Sequence, residues 1–177
     1  MATDRIGPIM AEYVTAAVAV LSPTPDRIIT YQPGEEVAWD GGCEGQLAAR
    51  VIAIDMQAPQ ANGQGLICGG NWWNVRLGLS LIRCVQGIEG EGRRAKVPTA
   101  EEITNDGAQM LADIAALQEV VMCVGWTAAN PAPAWQPLGP NGGRAGGEWQ
   151  FTVRTSVCAC PNPLPWDHAE EPATPEA

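Results

Sequence analysis

Histidine is nearly absent from this chain: His168 is the only one in 177 residues, and it falls in a stretch rich in proline and acid. A cysteine or serine nucleophile needs a base beside it, so a Cys–His or Ser–His hydrolase is not expected. The six cysteines (Cys43, Cys68, Cys84, Cys123, Cys158 and Cys160) include no pair with CxxC spacing. That excludes a zinc ribbon and a thioredoxin-type motif. Basic residues are also few, ten against twenty acidic ones, for a net charge of −10. Phosphate contacts require Lys and Arg, so a DNA-gripping surface is excluded. An acidic wall past which DNA slides is not. The longest apolar run, Ala16 to Leu21, is far short of the ~20 residues a membrane span needs. The N-terminus has no basic, signal-like segment, which makes cytosolic synthesis the expectation.

Other routes to chemistry close in the same way. The glycines from Gly142 to Gly147 precede a strand-like segment rather than a helix and lack a Lys-Ser/Thr ending, so they form no phosphate loop. Asp40, Glu44 and Asp55 have no metal-ligand spacing. We therefore expect no enzyme and no catalytic, cofactor or metal residues. The cysteines read as buried thiols used as small hydrophobes. The alternative is one to three disulfides formed after release from a reducing cell.

What is present is periodicity. Residues 8–22 carry Met10, Val14, Ala17, Val18 and Leu21 at helical spacing, with Pro8 in the first turn. Arg27 to Gln32 reads as a short strand. In Gln46 to Met56, Leu47, Ala49, Val51 and Ala53 alternate with Ala48, Arg50, Ile52 and Ile54, which suggests a central strand. Trp72 to Gln86 is a long strand with Trp73, Val75, Leu77, Leu79 and Leu81 on one face. Its phase slips at Ile82, either at a β-bulge or because both faces become buried. Thr99 and Glu102 are spaced as a capping box for a helix to about Cys123. Ile103, Met110, Ile114, Leu117 and Val121 form its buried stripe, with Asp106, Asp113 and Glu119 solvated. Gly125 to Gly147 reads as a long Pro/Gly loop, with four glycines (Gly142, Gly143, Gly146, Gly147) serving turns. A final strand, Glu148 to Cys160, alternates Trp149, Phe151, Val153 and Val157 against Gln150, Thr152, Arg154 and Ser156. The expected fold is α+β: a mostly antiparallel sheet of about four strands flanked by two helices, in one domain over 1–160. An acidic, Pro-rich, disordered tail follows over 161–177.

Seven tryptophans remain to be placed. Trp73 and Trp149 read as core. Trp72, Trp126, Trp135 and Trp166 read as loop or outward-facing, where tryptophan anchors protein contacts. Trp72, Trp126 and Trp135, with Arg76 and Arg144, form the set of expected subunit-interface residues.

The ordered features have a counterpart. They are Trp39-Asp40 with Cys43, then Val75-Arg76, then Arg83-Cys84-Val85. Pro98-Thr99-Ala100-Glu101-Glu102-Ile103 opens the second helix. Pro137-Leu138-Gly139-Pro140-Asn141-Gly142-Gly143-Arg144-Ala145-Gly146 runs into the last strand. Over residues 39–160 this order resembles the tail-terminator neck proteins of long-tailed phages infecting actinobacteria. The resemblance implies a non-enzymatic virion protein: a ring, usually a hexamer, at the head-proximal end of the tail tube. Such a ring ends tube polymerisation and joins the tail to the head-side connector while DNA passes through its lumen. Its implied partners are further copies of itself, the tail tube protein and the connector or stopper protein, with no membrane. A head-to-tail stopper or another minor tail protein is the alternative.

Overall fold

A computed structural model describes residues 4–33, 45–57, 72–87, 97–128, 131–141 and 143–156. The expected tail 161–177 with His168, and Trp39, Asp40 and Cys43, lie outside these residues. The elements are α1 (Gly7–Val20), β1 (Arg27–Gln32), β2 (Gln46–Gln57), β3 (Trp72–Cys84), α2 (Ala100–Cys123), β4 (Ala134–Asn141) and β5 (Arg144–Ser156). They build a five-stranded mixed sheet in the order β1-β2-β3-β5-β4, with β1 parallel to β2 and every other pair antiparallel.

The α+β class holds, with one strand more than expected. Residues 134–141 are a strand, not loop. Ala134, Trp135, Gln136, Pro137 and Leu138 pair with Gln150, Trp149, Glu148, Gly147 and Gly146. Proline cannot donate to a ladder, which restricts such a segment to a sheet edge, and β4 is an edge strand. β5 correspondingly starts at Arg144. Of the four glycines, Gly143 supplies a turn conformation at φ +75°. Gly146 and Gly147 lie inside β5 because a Cβ there would overlap the Leu81 carbonyl and the Trp135 ring respectively.

Both helices lie on one face of the sheet. The alternation of β3 sends Val75, Leu77, Leu79 and Leu81 to that face. Leu47, Ala49, Trp149, Phe151 and Val153 join them from the neighbouring strands, against Tyr13, Val14 and Ala17 of α1 and Leu117 and Val121 of α2. The capping box forms: Glu102 N–H donates to Thr99 Oγ1 at 3.2 Å, and Thr99 N–H to Glu102 Oε2 at 2.7 Å. Leu117 and Val121 are buried as expected and Met110 and Ile114 half-buried, but Ile103 is exposed.

The phase slip in β3 is not a bulge, since its register with β5 runs unbroken from Trp72 to Cys84. Gly78 to Leu81 are all buried instead. Arg83 points to the helix face because Asp113 of α2 waits there, buried rather than solvated. Arg83 Nε and Nη2 donate to Asp113 Oδ2 and Oδ1 at 2.6 and 3.1 Å, and Nη2 also donates to the Pro23 carbonyl at 2.7 Å. Gln109 Nε2 donates to Asp113 Oδ1 at 3.1 Å and to the Ser22 carbonyl at 2.9 Å. The bulge that does exist is in β2, between Val51 and Ala53. It moves Ile54 to the helix face, where it is exposed.

The opposite sheet face holds a second ion pair. Arg50 Nε and Nη2 donate to Glu148 Oε2 and Oε1 at 2.7 and 2.9 Å. The pair passes over β3 at Gly78, where a Cβ would overlap the Glu148 carboxylate. Gln150 Nε2 donates to Glu148 Oε1 at 2.9 Å, and Ser80 Oγ to the Ala48 carbonyl at 3.2 Å.

Of the two readings of the cysteines, Cys84 follows the disulfide one; Cys123 is a free thiol, but exposed rather than buried. Tyr13 lies under α1 against Phe151, its hydroxyl 2.7 Å from Thr127 Oγ1. Thr127 Oγ1 donates to the Val121 carbonyl, so Tyr13 is the donor of the pair. Burial raises the Tyr13 pKa above 10.0, against the lowering effect of the Thr127 bond.

Three outcomes follow from this packing. Asp113→Ala leaves the half-buried Arg83 without its carboxylate and costs about 3 kcal/mol in urea denaturation. Because the Tyr13 pKa is raised in the folded state, its stabilisation is full below the unfolded pKa near 10. It is lost as pH rises through the folded value; Tyr13→Phe therefore flattens the fall in stability seen above about pH 10. Thiol titration of the unreduced, denatured chain finds at most four of the six thiols, since the Cys84 bridge removes two.

Candidate interaction surface

The five expected interface residues fall at four separate places. Trp135 belongs to the core side. Its ring packs on Trp149 with centroids 5.8 Å apart and lies half-buried against the core. Sequence placed it in a loop only because β4 was not recognised as a strand. Arg144 is half-buried at the β4–β5 hairpin, opposite Cys84. Trp126 sits past the end of α2, exposed, with Nε1 donating to Glu12 Oε2 of α1 at 2.7 Å.

Trp72 and Arg76 come together. They project from β3 at two-residue spacing, with Asn74 between them, on the face away from the helices. Trp72 is 51% exposed. Arg76 is exposed with no ion-pair partner among the described residues. β5 adds exposed Arg154, paired with Asn74 in register and donating from Nε to Asn74 Oδ1 at 3.3 Å. Exposed Asp55 of β2 stands on the other side of Asn74. The patch is therefore one large aromatic at the start of β3, followed along the same face by two guanidinium groups and one carboxylate. Trp and Arg are the residue types that dominate binding hot spots.

A second apolar surface was not anticipated. On α2, Ala108, Leu111, Ala115 and Met122 recur at 3-, 4- and 7-residue steps, which places them on one side of the helix. That side faces away from the core: Leu111 is 69% and Met122 58% exposed. Glu101 and Glu119 lie beside the stripe, both exposed. The helix carries five acids and no Lys or Arg. The sequence signal was available, because two apolar stripes on one helix exceed what one core needs. The stronger stripe masked the weaker.

Two hollows lie among the described residues. One of about 40 Å³ lies between α2 and the sheet, beside Arg83, Asp113 and Trp135. That is well below the roughly 300 Å³ at which small-molecule pockets begin. The other, about 500 Å³ and open, lies at the start of α1 between Met10, Tyr31 and Val51. Its one carboxylate, Asp4, already accepts the Ile6 and Gly7 N–H groups at 3.0 and 2.9 Å. Among the described residues no three His, Cys, Asp or Glu side chains converge as metal ligands, and no helix is long and apolar enough to cross a membrane.

Compared with protein-family models and with curated proteins, the chain matches none.

The two tryptophans have opposite expected behaviour. Trp72→Ala changes thermal stability by less than about 0.5 kcal/mol, as an exposed anchor should. Trp135→Ala costs about 2 kcal/mol or more, because it empties the space beside Trp149. Thermal melts of both variants check this.

Proposed function

We propose that this protein is a structural subunit of a bacteriophage neck. It forms a ring on the head-proximal end of the tail tube, ends tube polymerisation and joins the tail to the head connector. The carrying observation is the exposed Trp72–Arg76–Arg154 patch on the sheet face away from the helices. An exposed tryptophan on the same face as two exposed arginines is the residue pairing that anchors contact surfaces. The reading draws further support from the ordered likeness over residues 39–160. The charge of −10 suits a wall along which DNA slides without sticking. The Cys84 disulfide suits a particle that leaves the reducing cell.

The test has two parts. The purified protein, examined by native mass and negative-stain imaging, is expected as a ring of identical subunits around a central hole. Added to polymerising tail tubes, it is expected to cap one end and stop elongation. Tubes that keep growing at an unchanged rate in its presence overturn the reading.

A further inference from the structure

We propose that copies of this chain join head to tail, the outer side of α2 on one copy seating against the Trp72–Arg76–Arg154 patch of the next. The contact rests on the ring reading above but has its own test. The two surfaces lie on opposite sides of the molecule, since α2 covers the helix face of the sheet and the patch occupies the other. Each supplies what the other lacks. The stripe of α2 is apolar and flat, with Ala108, Ala112 and Ala115 leaving room beside Leu111 for a large ring, and Glu101 and Glu119 border it. The patch supplies that ring in Trp72, with Arg76 and Arg154 to meet the carboxylates.

The other ways of pairing two copies are weaker. Stripe against stripe sets an all-acidic helix against itself, and patch against patch sets arginines against arginines; like charges across an interface are unfavourable. Continuing the sheet from β1 of one copy to β4 of the next meets Pro137 and Pro140 on β4 and an irregular register on β1. A contact between two different surfaces repeats from copy to copy, closing into a ring or continuing as a filament according to the rotation per step.

The test uses two charge-reversed full-length chains: Leu111→Lys/Glu119→Lys on α2, and Arg76→Glu/Arg154→Glu on the patch. All four positions are exposed, so folding is unaffected, and circular dichroism of each chain checks this. Light scattering after size exclusion reads the native mass. The wild-type chain is expected as a multimer and each variant alone as a monomer. An equimolar mixture of the two is expected to regain the multimer, because the reversed α2 of one meets the reversed patch of the other. A wild-type chain that stays monomeric at every concentration overturns the contact. So does loss of assembly from the α2 variant alone with the patch variant unaffected, which marks a stripe-to-stripe dimer. A monomer that still stops tail tubes overturns the contact and keeps the neck reading; a multimer that leaves tube growth unchanged does the reverse.

Discussion

The Arg83–Asp113 pair sets the relation between the helices and the sheet. Hydrophobic contact holds α2 against β5 and α1 but is indifferent to small slides along the helix axis. The forked guanidinium is not, because two parallel hydrogen bonds fix both distance and plane. One Arg83 nitrogen reaches on to the Pro23 carbonyl, and Gln109 ties the same carboxylate to the Ser22 carbonyl. The end of β3, the middle of α2 and the turn between α1 and β1 are thereby locked at one point. The placement of the outer stripe of α2 is set from there.

A matching device works on the other face. Arg50 and Glu148 come from β2 and β5, which are not neighbours, and their side chains meet over the strand between them. That requires a residue without a side chain in the middle strand, and Gly78 is that residue. The pair binds three strands at once and specifies their register, since any slip would put a side chain under the bridge. Burying polar groups here does not add much stability by itself; it selects one alignment.

Local pattern made the helices and four of the strands readable. Val75, Leu77, Leu79 and Leu81 alternate without interruption, and Thr99 with Glu102 announces a helix start three residues apart. What could not be read are facts about partners distant in the chain. Asp113 stands one turn from Met110 and Leu117 on the buried side of α2, but nothing in that spacing says that Arg83 awaits it. The strand β4 was hidden for a different reason. Pro137, Gly139 and Pro140 carry turn chemistry, and only a position at the sheet edge permits them in a ladder. The misreading carried Trp135 with it, placing in a loop a side chain that packs on Trp149. The patch was legible in part: Trp72 and Arg76 stood out by residue type and spacing, while Arg154 needed the β3–β5 register to bring it alongside.

The bulge at Ile52 divides β2 into two reading frames. Before it, Leu47, Ala49 and Val51 face the helices; after it, the alternation is reset, with Ile54 on the helix face and Asp55 on the other, both exposed. The same strand thus serves a covered stretch and a more open one, each with its own alternation.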